Sequence, residues 1–544
     1  MKREVFARKK GNITEQIYDF MLAVLLLFSV AIMLLLSYWA CRYSYYNAES
    51  YNRSNLLIKD PVWKHVILFF VASLITVEID RLLSRKSKIV QEKICLYALT
   101  VTCALLFLVG TVYVLENPYY PVGDQINTTA FSAYCREGNF IMLEPGGYMG
   151  MHQHQKGLGL LYEIVFGIFG DFNYAPAKVL HVCWWVLSVY AGYQFLKINT
   201  ERTVFRLVYC VVMIGCIPFL FFLPYIYGDI ISIGFCMVLF WMMAAYERDG
   251  RKRYLAVAAF VAAIATMARK NTLIVLAAAV IYAVLLCLKK RRAKYLLTGA
   301  VVLLSAILAV KAVDVIYEYR SGYPSGIGIP SILYVAMGLQ ETDGEPGVYN
   351  RYHQTVFAEH DFQQEPSAEE GKAYIRDRMQ QFANDPGMAW RFFKKKIQWQ
   401  WIDPLYKSLR ATNSFDEDRE VPAFITEIYY GKTYDVLWKL SNYYQSVVYL
   451  GSLLFAVWGG VMWWRNKEVP ASLWLPMIAV VGGFLFSIIW EAQSRYVFPY
   501  MVFLTMYVPE GLYVVGNTFL KLKNIRKKTN EKKEEKEESL REIA

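Results

Sequence analysis

The stretch RKRYLAVAAFVAAIATMARKNTLIVLAAAVIYAVLLCLKKRR, residues 251–292, decides the fold. It holds two apolar runs, near 253–268 and 272–288, which are separated by a polar turn at 269–271. Basic residues flank the stretch at both ends, and short cytoplasmic loops of membrane proteins retain Lys and Arg. The pattern therefore predicts a tight pair of spanning helices whose ends lie in the cytoplasm and whose turn lies on the other side.

The composition of the 544-residue chain agrees with this interpretation. Hydrophobic residues make up 56% and charged residues 19% of it, which exceeds the apolar content that one soluble core needs. The net charge of +12 sits in short basic clusters between apolar runs. Such clusters indicate membrane topology, so we expect no nucleic acid as a partner.

The cysteines predict neither a disulfide framework nor a metal cluster. Nine are present without any CxxC spacing, and most lie inside apolar stretches. Cys41 and Cys135 both fall on the predicted outer side, where a pairing between them is open.

Twelve apolar segments approach the roughly 20 residues that a spanning helix needs. Besides the pair above, they lie near 18–40, 62–83, 93–115, 174–197, 203–226, 229–246, 295–314, 443–464, 470–490 and 496–516. The first run is too long for a signal peptide. The basic clusters between the segments agree with about twelve crossings and both termini in the cytoplasm. These clusters are Lys2, Arg3, Arg8, Lys9 and Lys10; Arg81, Arg85, Lys86 and Lys88; Lys197, Arg202 and Arg206; Arg248 to Arg253; Lys289 to Arg292; Arg465 and Lys467; and the tail from Lys521.

The predicted fold class is an all-α polytopic membrane protein with about 12 transmembrane helices and a small, mainly helical non-cytoplasmic domain. The parts are 1–92 (cytoplasmic segment and two spans), 93–313 (transmembrane core with a first outer loop at 116–156), 314–442 (non-cytoplasmic domain), 443–516 (final spans) and 517–544 (charged cytoplasmic tail, disordered or a single helix).

Three further helices are predicted on the outer side. Gly157 to Phe169 is interpreted as a half-membrane or interfacial helix, because a full crossing would place two basic clusters outside. Residues 125–135 form a second interfacial candidate. A helical pattern runs from Ser367 to about Trp401 and is ended by Asp403-Pro404.

Ionisable residues near membrane depth are costly and are therefore candidates for function. Several fall on one outer face. Some have a structural alternative: helix capping for the two aspartates, snorkelling for the turn and an internal salt bridge for Glu491 with Arg495. The spacing of His152, His154 and Lys156 suggests a metal pair or a phosphate clamp. Their convergence favours a site, because a symmetric transporter places such groups at the bilayer midplane in paired repeats. The candidates are Asp124, Asp229, His152, His154, Lys156, Arg269, Lys270, Asn271, Glu491, Arg495 and Tyr496.

At these residues the chain resembles the membrane-embedded glycosyltransferases of the GT-C fold, in particular bacterial relatives of protein O-mannosyltransferases and of the lipid A aminoarabinose transferase (glycosyltransferase family 39). The resemblance covers roughly residues 90–510. The shared features are Gly123-Asp124-Gln125 in the first outer loop, Asp229 opening a later span, the polar turn at 269–271, an outer domain and the late stretch from Glu491 to Tyr496.

The resemblance implies transfer of a sugar, with inversion, from a polyprenyl-phosphate carrier to a cell-envelope acceptor that is a glycan, a lipid or a protein. It assigns Asp124 and Asp229 to catalysis, with Asp124 as the general base. The implied donor-phosphate ligands are Arg269, Lys270, Asn271, Arg495 and Lys156. The implied substrate-binding residues are His152, His154, Tyr225, Tyr227, Glu491 and Tyr496.

Two other functions stay open at this point: a transporter or flippase of lipid-linked glycans, and a ligase or polymerase of the O-antigen type. The sequence assigns no cofactor, and a divalent metal stays open. Two aspartates on one face permit a divalent ion, but a phosphate already paired with Arg and Lys does not need one. The expected location is the cell membrane, with membrane lipids around the spans and the site on the non-cytoplasmic side.

Overall fold

The computed structural model describes residues 12–46, 56–342 and 344–543. The basic residues at positions 2–10, which contribute to the predicted orientation, lie outside this part of the chain. About 79% of the protein is helical. This content confirms the all-α class.

In chain order the helices are α1 (Ile13–Arg42), α2 (Val62–Ser84), α3 (Lys88–Glu116), α4 (Asp124–Arg136), α5 (Tyr148–Met151), α6 (Lys156–Phe169), α7 (Tyr174–Asn199), α8 (Thr203–Ile214), α9 (Ile217–Phe222), α10 (Gly228–Asp249), α11 (Lys252–Ala268), α12 (Thr272–Lys290), α13 (Leu296–Ser321), α14 (Ser331–Gly338), α15 (Tyr352–Glu359), α16 (Gln364–Asn384), α17 (Pro386–Trp401), α18 (Ser408–Ala411), α19 (Ala423–Tyr430), α20 (Lys432–Trp464), α21 (Leu475–Ile489), α22 (Ser494–Leu504) and α23 (Val508–Ile543). Two antiparallel hairpins accompany them. They pair β1 (Tyr43–Tyr46) with β2 (Leu56–Lys59), in the register Tyr43 opposite Lys59, and β3 (Glu341–Thr342) with β4 (Glu345–Pro346).

Nine helices in the described residues are long and apolar enough to cross a membrane. They are α1, α3, α7, α10, α12, α20, Ala293–Ser321 around α13, Ala471–Ile489 around α21 and Ser494–Glu531 across α22 and α23. All twelve segments predicted from the sequence fall on helices, and nine of them coincide with this set. These helices are compatible with a membrane-embedded protein, whereas twelve crossings stay a prediction.

One predicted span is wrong as a single helix. Residues 203–226 form α8 and α9 with a break at Gly215-Cys216. Pro218 lies in the first turn of α9, and proline lacks the N–H that a continuous helix would need there. The chain therefore bends before it reaches α10.

Helix α10 forms the centre of the bundle. Of its most apolar window, 94% is buried inside the protein, and it packs between α7 and α11. Its sequence is apolar on every side, as expected for a helix that is enclosed by other helices.

The tight helix pair predicted for residues 251–292 is present as α11 and α12, with its tip at 269–271. Two glycines let this tip approach its neighbours. A Cβ atom at Gly228 would lie 1.9 Å from the carbonyl oxygen of Ala268, and one at Gly157 would lie 2.6 Å from that of Met267. Only hydrogen atoms fit in these spaces, so the glycines set the position of the tip.

Helix α6 matches the predicted short helix. Its 14 residues extend about 21 Å, against about 30 Å for the hydrocarbon core of a bilayer. It packs on α4, α11 and α13. The segment from 156 to 169 is therefore too short for a full crossing.

The part between α13 and α20 contains six helices, α14 to α19. The predicted helix from 367 to 401 is wrong as one unit, because it is divided into α16 and α17 at Asp385-Pro386. The Asp385 carboxylate accepts a hydrogen bond from the backbone N–H of Met388 at 2.8 Å, and Pro386 begins the new helix. An aspartate cap followed by proline is a helix start.

All nine cysteines lie in the described residues and are free thiols, Cys41 and Cys135 included. The pairing that the sequence left open for these two is therefore not present.

Candidate active site

A cavity of about 790 Å³ opens at one end of the bundle, between the helix ends and the segment from 322 to 431. The sequence predicted six of its lining residues, which come from four separate parts of the chain. They are Asp124, His152, Tyr227, Glu491, Arg495 and Tyr496. The structure thus brings together the core of the predicted site.

Asp124 is exposed in this cavity at the first position of α4. The cap position belongs to Gly123, which has a φ of +59° and no side chain to offer. The sequence left helix capping as an alternative role for Asp124, but Gly123 occupies the cap position, and the Asp124 carboxylate lies in the cavity beside the Tyr148 hydroxyl. It is therefore available to a ligand.

The loop that presents Asp124 is held by buried polar contacts. The ammonium of Lys178 donates to the carbonyl oxygens of Asn117, at 3.3 Å, and Tyr119, at 2.7 Å. The Gln125 side chain donates to the Tyr119 hydroxyl at 2.5 Å and accepts from the N–H of Ile226 at 2.8 Å. These contacts tie the loop to α7 and to the entrance of α10.

Asp229 does not line the cavity. Its side chain is 2% exposed and forms an ion pair with Arg269, which is 10% exposed. The Arg269 guanidinium in turn lies 5.5 Å from the ring centre of Tyr227 and 5.3 Å from that of Tyr496. The carboxylate thus holds Arg269 behind two wall residues, and the catalytic role expected for Asp229 stays a prediction.

Arg495 is the cation that faces the cavity at this wall. Its guanidinium lies 4.9 Å from the ring centre of Tyr225, 5.4 Å from that of Tyr227 and 5.2 Å from that of Tyr496. Within the described chain it has no carboxylate partner. The salt bridge with Glu491 that the sequence left open is not formed, so Arg495 keeps its charge for an anion.

Glu491 is a second carboxyl group in the cavity. It is 7% exposed and accepts a hydrogen bond from the Tyr496 hydroxyl at 3.3 Å. Burial, together with the charge of Asp124, raises its pKa to about 7. Asp124 is exposed to the cavity, whereas Glu491 is buried beside it. Two carboxyl groups in such different environments can take different roles in enzymes, one as an acid and the other as a base.

The first outer loop contributes His152 but not its neighbours. His152 is 6% exposed and shares hydrogen bonds with the Tyr334 hydroxyl at 3.0 Å and the Gln354 amide at 3.1 Å. Burial lowers the pKa of His152, which favours the neutral ring. His154 is exposed outside the lining.

Lys156, Lys270 and Asn271 also differ from expectation. Lys156 is buried in an ion pair with Asp314 at 2.6 Å and is therefore engaged in structure. Lys270 is exposed outside the cavity lining. Asn271 lines two narrow crevices beside Tyr496. Among the described residues, no group of three or more His, Cys, Asp or Glu side chains can hold a metal.

The sequence missed the wall that α14 and α15 supply. His353 is 1% exposed, and its Nδ1 atom has no hydrogen-bond partner. Its ring packs 4.4 Å from that of Tyr334, which stacks on Trp490 at 5.2 Å. The polar and aromatic stretch YNRYHQ at 349–354 was the available indication.

The sequence also missed Lys407. Tyr406 and Lys407 both adopt left-handed backbone conformations, with φ of +51° and +57°. Buried Asp403 stabilises this turn, because its carboxylate accepts from the N–H groups of Leu405 at 3.1 Å and Lys407 at 2.9 Å. Residues in such conformations cluster at functional sites, and this turn places Lys407 in the cavity wall.

In the described chain, the charged groups around the cavity form ion pairs, whereas six of those that line it do not. Around it, Lys156 pairs with Asp314, Arg269 with Asp229 and Arg320 with Glu163. Six lining groups have no ion-pair partner in the described chain, namely Asp124, Arg351, Lys407, Arg410, Glu491 and Arg495. Of these six, only Glu491 is buried, and the others lie half-buried or exposed on the cavity wall. Charged groups of both signs that face one cavity without partners are the arrangement of a binding site for a polar, charged ligand.

Comparison with known proteins found no matching family model, curated protein or solved structure.

The arrangement supports three chemical tasks. Asp124 can accept a proton, Arg495 and its tyrosines can hold an anion, and the rings of Tyr334, Tyr349 and Tyr496 can pack against an apolar face of a ligand. All three lie in one cavity at the end of apolar helices.

Proposed function

We propose that this protein is an integral membrane glycosyltransferase of the GT-C type, which transfers a sugar from a polyprenyl-phosphate donor to a cell-envelope acceptor. The observation that supports this most is that Asp124 and Arg495, neither of which has an ion-pair partner in the described part of the chain, line one cavity at the ends of apolar helices. A lipid-linked substrate places its tail among such helices and its phosphate at their ends.

The reaction needs one base and one anion-stabilising group. Asp124 takes the proton of an acceptor hydroxyl while its oxygen attacks the anomeric carbon and the bond from that carbon to the phosphate oxygen breaks. The lipid phosphate leaves with one more negative charge, and Arg495 stabilises it. Attack opposite the leaving group inverts the anomeric configuration.

The cavity belongs on the non-cytoplasmic side under this proposal. The ends of α3, α9, α11, α13 and α21 contribute to its surroundings, whereas the basic clusters follow α2, α7, α10, α12 and α20. Because Lys and Arg are retained in cytoplasmic loops, the two ends of the bundle differ in sidedness. Twelve crossings, with both termini in the cytoplasm, satisfy this alternation.

Sugar transfer from a panel of radiolabelled polyprenyl-phosphate sugars tests the proposal, in membranes that contain wild-type protein, Asp124→Asn or Asp361→Asn at matched expression. Asp361 is an exposed control outside the cavity, with a φ of +50° that asparagine tolerates. We expect label transfer by the wild type and by Asp361→Asn, and a loss of about 100-fold or more in Asp124→Asn.

Two outcomes contradict the proposal. Equal transfer by wild type and Asp124→Asn would remove the base from the mechanism. No transfer from any donor by well-folded wild type would favour a transporter of lipid-linked glycans, which needs no catalytic base.

A further inference from the structure

The cavity has a second cationic region that the reaction above does not use. Lys407 and Arg410 lie three positions apart on the turn that leads into and through α18, and both line the cavity. In the described chain neither has a carboxylate within ion-pair distance. Two neighbouring cations in one wall repel each other, and an anion bound between them removes that repulsion.

Lys407 is held in a fixed position for such contact. Its ammonium lies 4.0 Å from the ring centre of Trp399 and donates to the Gln493 side-chain oxygen at 3.0 Å. The Ser494 hydroxyl donates to Asp403 at 2.7 Å, which links the strained turn to the start of α22. Burial and the charge of Arg410 lower the pKa of Lys407 to about 8.

The two cationic regions belong to different parts of the fold. Arg495 stands at the start of α22, among tyrosines that precede α10. Lys407 and Arg410 belong to the segment from 322 to 431, which covers the helix ends. A donor with its tail among the helices presents its single phosphate to Arg495, so Lys407 and Arg410 are left for another anion.

We infer that Lys407 and Arg410 form an acceptor subsite for a phosphate group, so that the acceptor is an anionic, phosphate-bearing polymer or glycan. The assignment of the bound phosphate to the acceptor rests on the proposed function, whereas the existence of an anion site at Lys407 and Arg410 does not. Arg351 lines the same cavity, with a left-handed φ of +67° at the start of α15. It places a third positive charge in the wall that the segment supplies.

Binding of a glycerol-phosphate oligomer to the purified, detergent-solubilised protein tests the subsite, with a neutral maltohexaose as the comparison ligand. Arg410→Gln is the main variant, because Arg410 is exposed and its replacement leaves the packing intact. Arg376→Gln is the matched control, an exposed arginine of α16 outside the cavity. Lys407→Gln provides a second test in the turn itself.

We expect Arg410→Gln and Lys407→Gln each to weaken binding of the oligomer by about 10-fold to 100-fold, as loss of a charge-assisted hydrogen bond does. Arg376→Gln and wild type should bind it equally. Unchanged binding in both Arg410→Gln and Lys407→Gln would overturn the inference. So would a loss confined to Arg495→Gln, because the phosphate would then occupy the donor region.

The transfer reaction supplies a separate readout. With a phosphate-bearing acceptor, Arg410→Gln should raise the acceptor KM about tenfold or more and leave the donor KM unchanged; a raised donor KM would place the second anion on the donor. If no donor supports transfer but the oligomer still binds in an Arg410-dependent manner, the proposed function fails and the anion site stands.

Discussion

The substitution Gly228→Ala tests how the cavity wall is held. A Cβ atom there would lie 1.9 Å from the carbonyl oxygen of Ala268, whereas an ordinary contact of carbon with oxygen is about 3.3 Å. The obstacle is backbone, so α10 and the hairpin tip must separate by about 1.4 Å. Arg269 directly follows Ala268, and its contacts with Asp229, Tyr227 and Tyr496 shift with it.

The expected effects follow from that displacement. Overpacking of this kind costs about 1 to 3 kcal/mol of unfolding free energy. A misplacement of about 1 Å near a reacting centre lowers the rate about 100-fold. We therefore expect a lower unfolding temperature and a strong loss of sugar transfer.

Gly460→Ala is the control. It lies in α20, where a Cβ atom meets nothing within 4 Å, so alanine gains up to about 1 kcal/mol of helix propensity there. Thermal unfolding in detergent and the radiolabel assay compare the two variants. If Gly228→Ala unfolds and transfers sugar like Gly460→Ala, the hairpin tip does not set the cavity wall.

Two further predictions concern single polar side chains. Because the pKa of Glu491 is raised from 4.5 to about 7 in the folded protein, its burial costs stability as the pH rises from about 4.5 to 7 and costs most above that. The free energy of unfolding of Glu491→Gln should therefore rise relative to that of the wild type between pH 5 and pH 8, by up to about 3 kcal/mol. A difference between the two proteins that is constant with pH would contradict this. Lys178→Met removes the two contacts that hold the loop before Asp124 and leaves both buried carbonyl oxygens without that donor. It should therefore lower kcat about tenfold or more and also lower the unfolding temperature; unchanged steady-state kinetics would count against this positioning role.

The sequence predicted much of the fold because apolar length and basic clusters are local properties. Each of the twelve predicted segments falls on helices, and the polar interruption between two apolar runs located the turn at 269–271, between α11 and α12. The two helix breaks that the sequence interpretation missed also have local causes. Pro218 and Asp385-Pro386 end one helix and begin another, and continuous apolar or amphipathic patterns obscured both breaks.

The candidate site was only half predictable. Residues at helix ends, such as Asp124 and Arg495, were found because a charge beside an apolar run stands out. Lys407 and His353 lie in a polar segment where charged residues are common, so composition gives no contrast there. The ion pair between Arg269 and Asp229 forms because α10 lies beside the α11–α12 hairpin. A local sequence pattern does not predict this packing of helices.

That ion pair has a consequence for how the protein enters the membrane. Arg269 is synthesised 40 residues after Asp229, a delay of several seconds at about 5 to 20 residues per second. During that interval the Asp229 carboxylate, in the first turn of α10, would lack its partner beside an apolar helix, where an unpaired charge is costly. Helix α10 therefore leaves the insertion machinery most favourably together with α11, so that the two charges enter lipid already neutralised by one another.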